Sequence, residues 1–154
     1  MNKLAVFALV VASSAVAVPS VAQEHWTEGP VWQIDYYRTK PGKFDDYLKY
    51  LRSSVMPQTA ELKNQGLILD SKMFVNPSPR DEKDWNIAFA TLHASYGKAL
   101  DYNAQDDAKG KAIAEKHFNT RDENKQRELI APRFGWRDYL RTSYVREVTL
   151  KPLP

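Results

Sequence analysis

Large apolar and polar residues alternate along the first well-defined segment of the chain, Val31 to Arg38. Trp32, Ile34 and Tyr36 fall on one side of an extended chain and their neighbours on the other, so the segment is predicted to be a β-strand. Pro41-Gly42 ends it. Apolar residues then recur at helical spacing: Phe44, Leu48, Leu51 and Val55. The pattern therefore predicts a strand, a turn and an amphipathic helix.

Proline and glycine mark the end of this helix. Pro57 lacks an N–H and clashes with the carbonyl of Ser53, so we expect it to break or kink the helix. The helix is then expected to resume and to end at Gly66, because glycine readily adopts the left-handed conformation of a C-terminal cap.

Two further strands follow. Leu67 to Val75 alternates as a second strand, and Asp84 to His93 alternates as a third. Large side chains on one face of the third strand oppose small ones on the other, which indicates that a neighbour approaches closely on the small side. The proline-bearing segment 76–83 is too long for a tight hairpin and is predicted to form an extended loop.

A second helical region and a last strand complete the pattern. Ser95 is placed to cap a helix that continues to Phe118. Thr120 and Glu123 have the spacing of a capping box, which predicts a short polar helix. Tyr144 to Leu150 alternates as the final strand.

The order β-α-β-β-α-β predicts an α+β fold of the ferredoxin-like, split β-α-β type. In this fold helices cover one face of a four-stranded antiparallel sheet and leave the other face bare. The first strand carries large side chains on both of its faces. The simplest expectation is therefore a homodimer that buries the bare face.

The N-terminal residues have the pattern of a cleavable export signal. Lys3 precedes an uncharged and largely apolar run from Leu4 to Val18, and Ser20-Val21-Ala22 offers small residues to a signal peptidase. The run is shorter than the ~20 apolar residues that span a bilayer. We therefore expect a signal peptide over 1–22, a single domain over 23–154, a periplasmic or secreted location of bacterial type, and no membrane span after cleavage.

Charge and cysteine content narrow the functional classes. The formal net charge is +3, with basic and acidic residues interspersed, so no nucleic-acid partner is predicted. The chain has no cysteine, which excludes disulfides, a lipoprotein anchor and a cysteine nucleophile. It has no Gly-x-Ser-x-Gly motif and no phosphate-binding glycine loop. Adjacent Asp106 and Asp107 diverge on a helix and are interpreted as a solvated face.

Four features occur together: Lys40-Pro41-Gly42-Lys43-Phe44 after the first strand, Pro57 late in the first helix, Gly66 before the second strand, and a β-α unit from Trp85 to Tyr102. They resemble the dimeric α/β-barrel superfamily, which includes antibiotic-biosynthesis-monooxygenase-type and stress-responsive barrel domains. The resemblance covers Val31 to Ala104 and, more loosely, Ser143 to Leu150. It implies dimerisation of sheet on sheet and a cavity between sheet and helices. Members range from cofactor-free monooxygenases, haem-degrading enzymes and isomerases to proteins of no known activity, so the resemblance indicates a fold rather than a reaction.

The cavity implied by the resemblance gives the candidate ligand-binding residues, which are Tyr36, Phe89, Thr91, His93 and Tyr102. This set follows from strand alternation and from the assumption that Trp32 and Trp85 both face the helices. A shift of one residue in either strand would exchange it. An aromatic lining of this kind suits a flat, apolar small molecule. His93 is either a general base in the cavity or a strand-end histidine bonded to backbone.

The three histidines do not form a metal-binding pattern, because no His-x-x-His or Glu-x-x-His spacing occurs. In haem-degrading members of the superfamily a histidine on the second helix ligates iron, and His117 resembles it in position. The match is a single residue without a signature around it. No cofactor is therefore predicted, and His117 is retained as a haem-ligand candidate.

Three functions are left open, and no catalytic residue is assigned. The first is binding of a small apolar or aromatic ligand between sheet and helices. The second is catalysis on the same fold, by a cofactor-independent monooxygenase or a haem-handling enzyme. The third is a structural or partner-binding dimer with a filled interior. A cavity between sheet and helices favours the first two, and a solid core favours the third.

Overall fold

A computed structural model describes residues 25–153 of the chain, and the expected signal peptide over 1–22 lies outside them. The strands are β1 (Trp26–Thr39), β2 (Asp70–Val75), β3 (Ile87–His93) and β4 (Arg137–Leu150). They form one four-stranded sheet in the order β2-β3-β1-β4, and each neighbouring pair is antiparallel. This is the strand order of the predicted ferredoxin-like fold.

Helices fill the two crossover connections. Between β1 and β2 lie α1 (Phe44–Tyr50), a π-helical turn (Leu51–Val55) and α2 (Met56–Asn64). Between β3 and β4 lie α3 (Tyr96–Leu100), α4 (Ala104–Phe118), α5 (Glu123–Ile130) and a 3₁₀ helix (Ala131–Gly135). The predicted α+β class is confirmed. Over 25–153, no helix is both long enough and apolar enough to span a membrane.

The helical segment does not end at Pro57, but its α-helical hydrogen bonding gives way to the π-helical turn just before the proline. At the end of this turn the N–H of Met56 donates to the carbonyl of Leu51, five residues back. Pro57 then occupies the first turn of α2, where its missing N–H costs little. The predicted end at Gly66 is confirmed: its φ is +71°, and its N–H donates to the carbonyl of Lys63 at 3.0 Å.

The second helical region differs from its prediction. Ser95 does cap a helix, since its Oγ accepts from the N–H of Lys98 at 3.2 Å, but α3 ends at Leu100. A new helix begins because the Asn103 side chain accepts from the N–H groups of Gln105 and Asp106, both at 3.0 Å. The prediction of one continuous helix is therefore wrong, and asparagine capping is the physical reason.

The cap of α5 is also displaced from its prediction. Asp122, rather than Thr120, accepts from the first N–H groups of the helix, at 2.9 Å from Asn124 N and 3.3 Å from Lys125 N. The Thr120 hydroxyl instead accepts from the N–H of Asp122 at 3.2 Å, forming a turn before the helix.

The core identifies the sheet face that carries the helices. Tyr47, Leu51 and Ile87 form its buried centre, with exposures of 2%, 4% and 0%. The Tyr37 ring lies 6.1 Å from the Tyr47 ring, so Tyr37 points toward α1. We call this the helix-facing side; on β1 it carries Val31, Gln33, Asp35 and Tyr37.

Trp32, Ile34 and Tyr36 alternate with these residues and lie on the opposite side, which we call the outer face. The assumption that the Trp32 face looks toward the helices is therefore wrong. Trp85 precedes β3 and its ring lies 5.5 Å from that of Tyr36, so Trp85 also packs on the outer face.

Candidate functional site

A cavity of about 240 Å³ lies between the first helical segment and the β2–β3 half of the sheet. Its helical wall comes from α1, the π-helical turn and the start of α2, and its floor comes from β2 and β3. The lining residues are Leu48, Leu51, Arg52, Met56, Ser71, Lys72, Met73 and Phe89. Because most of the lining side chains are aliphatic, thioether or aromatic, the cavity suits an apolar molecule.

The π-helical turn shapes the wall of this cavity. It carries Leu51 and Arg52, and the wider turn alters the direction in which these side chains leave the helix. Two side chains of α2 also bond back to carbonyl groups of the turn. Gln58 donates to the carbonyl of Ser54 at 2.9 Å, and Thr59 donates to that of Val55 at 2.8 Å. The turn is therefore a supported feature of the fold, and π-turns of this kind are frequent at functional sites.

The floor of the helix-facing side changes from apolar to polar across the sheet. Phe89 on β3 pairs with Asp35 on β1, which pairs with Thr142 on β4. Asp35 accepts from Gln33 at 3.2 Å and from the Thr142 hydroxyl. The hydroxyl of Tyr139 lies 2.8 Å from that of Thr142. A molecule in the cavity therefore meets an apolar floor at β2–β3, with a hydrogen-bonded polar chain beyond it.

An aromatic cluster with a buried arginine closes one end of the helix-facing side. Arg137 is 7% exposed, and its guanidinium lies 3.8 Å from the centre of the Tyr37 ring and 5.4 Å from that of Tyr47. Burial raises the pKa of Tyr37 and, more strongly, that of Tyr47, so both hydroxyls stay protonated near neutral pH. These tyrosines are packing groups rather than bases.

The structure separates the predicted ligand-binding residues. Phe89 lines the cavity, and Thr91 follows it on the same face, opposite Ser71. Tyr36 is on the outer face and cannot meet them. Tyr102 is 80% exposed in the connection between α3 and α4 and does not line the cavity. The predicted alternation along β3 is confirmed for Phe89, Thr91 and His93, whereas the prediction that Tyr36 faces the helices is wrong.

His93 lies at the end of β3 on the helix-facing side, beyond the cavity. It pairs with Val31, which is fully buried and pairs on its other side with Arg146. Both ring nitrogens of His93 are buried and make no hydrogen bond with any residue of 25–153. The strand-end histidine bonded to backbone is therefore not what forms. Burial lowers the pKa of His93, because desolvation penalises the charged imidazolium.

This environment predicts acid sensitivity. The unfolded chain protonates His93 at its ordinary pKa of 6.5, whereas the folded protein does so only at lower pH. Its contribution to stability is complete above that pKa and is lost as the pH falls from there through the folded value. As the pH is lowered from about 7.5 to about 5, the free energy of unfolding should fall more steeply in the parent protein than in His93→Gln. The difference between the two slopes should be smaller than the limit for one proton, ~1.4 kcal/mol per pH unit. Urea unfolding across this range measures the difference, and parallel profiles would contradict it.

His117 lies at the packed surface between α2 and α4 and does not line the cavity. Its Nε2 is 3.3 Å from the hydroxyl of Ser54, and its ring packs edge-on against Phe118 at 4.7 Å. In the part of the chain that the structure describes, no cluster of His, Asp or Glu side chains could hold a metal ion.

The sequence predicts only part of this lining. Helical spacing places Leu48 and Leu51 on the apolar face of the helix, but no spacing pattern indicates Arg52, Met56, Ser71 or Met73 as lining residues. The one sequence signal for this part of the lining is Met56-Pro57 inside a helical pattern. A proline that does not end a helix requires a local change in its hydrogen bonding, which redirects the residues just before it.

Comparisons with protein-family models, with curated proteins and with solved structures gave no match. The case for a function therefore depends on the geometry of the site.

Proposed function

We propose that this protein binds a small, mostly apolar molecule in the cavity between the π-helical turn and the β2–β3 floor. The observation that carries the proposal is an apolar cavity of about 240 Å³ between the first helical segment and the β2–β3 half of the sheet. That volume exceeds the ~150 Å³ of an apolar cavity that binds benzene. It is below the ~300 Å³ at the lower end of pockets for drug-sized ligands. A single ring or a short chain therefore fits it best.

Methionine methyl groups provide a direct test. The sequence has three methionines, and two of them, Met56 and Met73, line the cavity. Titration of indole into protein labelled with ¹³C at the methionine methyl groups should move both of these resonances in a saturable manner. Met73→Trp should weaken indole binding more than tenfold, because the larger side chain fills the cavity.

Val75→Trp is the matched control for this test. Val75 lies on the same strand, points to the same side and has nearly the same exposure, 47% against 44% for Met73, but does not line the cavity. It should leave indole binding unchanged. If indole moves neither methionine resonance, or if the two variants weaken binding equally, the ligand-binding proposal is wrong.

The enzymatic alternatives have less support from the site. Its lining contains no histidine and no carboxylate within the described residues, so no side chain there is an evident general base. The haem-handling alternative is further weakened because His117 is hydrogen-bonded between two helices, away from the cavity.

A second proposal concerns assembly and family. A homodimer through the outer face is supported by its surface: Trp32, Ile34, Tyr36 and Leu92 surround the small residues Ala88, Ala90 and Ser143. Phe74 and Val145, on the flanking strands, are each 45% exposed. Lys72 lies over the Trp32 ring at 4.9 Å and Arg141 over the Tyr36 ring at 4.6 Å. An apolar patch with charged side chains along its edges is typical of a protein interface.

We also propose that the chain is a member of the dimeric α/β-barrel superfamily and that residues 1–22 direct its export.

A further inference from the structure

The polar side chains around the cavity all donate hydrogen bonds, and two of them are cations. The hydroxyl of Ser71 is the one that can also accept. Arg52 lies on the π-helical turn, and Ser71 and Lys72 lie on β2. No carboxylate from residues 25–153 lines the cavity. A molecule with its own positive charge would therefore meet repulsion, whereas an anion would meet attraction.

Arg52 is the cation of this set that is available to a ligand. It is exposed, and it makes no hydrogen bond or ion pair within the described part of the chain. Two other cations of this helical region are paired: Lys43 with Asp46 at 3.1 Å, and Lys63 with Asp70 at 2.7 Å. Lys49 is exposed on the same segment but does not line the cavity. The ammonium of Lys72 is directed to the outer face, over Trp32. The cavity thus has one unpaired guanidinium at its exposed rim.

Ser71 adds a second donor on the floor. Its side chain is half-buried and, like that of Arg52, has no hydrogen-bond partner among residues 25–153. A guanidinium presents two parallel N–H groups that match the two oxygens of a carboxylate, and a hydroxyl can donate to either oxygen.

We infer that the ligand of this cavity is a small monocarboxylate, with its ring or short aliphatic body among Met56, Met73 and Phe89 and its carboxylate on Arg52 and Ser71. The inference rests on the proposed function and adds to it the chemical class of the ligand and the direction in which it lies. The apolar body points inward and the charged group points to the rim, where water still solvates part of it.

The test compares three molecules that differ only in their polar end: 3-phenylpropanoate, 3-phenylpropanamide and 3-phenylpropylamine. Binding is followed by the Met56 and Met73 methyl resonances and by calorimetry at low salt. The carboxylate should bind about tenfold more tightly than the amide, consistent with a charge-assisted hydrogen bond, and the amine should bind most weakly. Added salt should reduce the preference for the carboxylate, because the guanidinium is exposed.

Two variants assign the preference to one residue. Arg52→Gln should bring the affinity for the carboxylate down to that for the amide while leaving the amide unchanged. Lys49→Gln removes one positive charge from an exposed position on the same helical segment that does not line the cavity, and should preserve the tenfold preference.

The outcomes separate the inference from the proposed function. If the amide binds as tightly as the carboxylate, or if Arg52→Gln retains the preference, the monocarboxylate assignment is overturned while ligand binding stands. If none of the three molecules moves the two methionine resonances, both are overturned.

Discussion

Replacing Ile87 with alanine is expected to lower the free energy of unfolding by about 3 kcal/mol, within the ~2–5 kcal/mol observed for truncation of large aliphatic residues in cores. Ile87 has no exposed surface and lies at the centre of the core with Tyr47 and Leu51. It is held between Val75 and Tyr37 on the neighbouring strands, so the surrounding backbone cannot easily move into the space that is left. The loss of stability therefore includes both the burial free energy of the deleted methyl and methylene groups and the cost of the cavity that they leave.

Urea denaturation at one fixed protein concentration measures this effect, since the stability of any dimer depends on concentration. Leu129→Ala is the control, because Leu129 is 56% exposed on α5 and its truncation should change the unfolding free energy by less than ~0.5 kcal/mol. A loss below ~1 kcal/mol for Ile87→Ala would show that the core is centred elsewhere.

The fold was predictable because local signals agreed with it at nearly every junction. Pro41-Gly42 separates β1 from α1, and Gly66, at a φ of +71°, ends the helical segment before β2. Ser95 caps the helix that follows β3. Strand alternation gave the order of elements, and that order leaves few topologies for a four-stranded antiparallel sheet.

Capping and π-helical geometry were not predictable to the same degree. Ser, Thr, Asp and Asn all cap helices, so the spacing that predicts a cap at Thr120 does not exclude one two residues later. The structure selects Asp122, whose carboxylate bonds to both Asn124 N and Lys125 N. The π-helical turn before Pro57 is accompanied by bonds from the Gln58 and Thr59 side chains back to its carbonyl groups, and these contacts have no sequence pattern of their own.

The site was predictable only on one strand. Alternation on β3 places Phe89 and Thr91 on one face, and the structure agrees. Alternation on β1 does not show which face meets the helices, because both faces of this strand carry large side chains. Gln33 and Asp35 look like solvent-facing residues, yet they lie on the helix-facing side, where Gln33 and Thr142 hydrogen-bond to Asp35. On this strand a half-buried polar chain lies on the helix-facing side, which reverses the ordinary rule that the more apolar face is the inner one.

The same reversal leaves the more apolar face of β1 uncovered, and this is the basis of the second large effect. Ile34 stands at the middle of the outer face between two small residues, Ala90 on β3 and Ser143 on β4. The Ile34 side chain therefore projects from the sheet beyond its two small neighbours, as a residue at the centre of an interface would. In a two-fold dimer each substitution occurs twice across the same contact.

Ile34→Glu is accordingly expected to convert the proposed homodimer into a monomer. Burying an unpaired carboxylate costs several kcal/mol, which corresponds to a dissociation constant raised by roughly 10³-fold. Size-exclusion chromatography with light scattering measures the molecular mass, and circular dichroism shows whether the variant remains folded. Leu129→Glu adds the same charge at an exposed helical position and should leave the dimer intact. A parent protein that is monomeric at micromolar concentration, or an Ile34→Glu variant that stays dimeric, would exclude the outer face as the interface. If Ile34→Glu is a folded monomer while the parent protein and Leu129→Glu are dimers, the interface lies on the outer face, because only there does the new carboxylate lose its water.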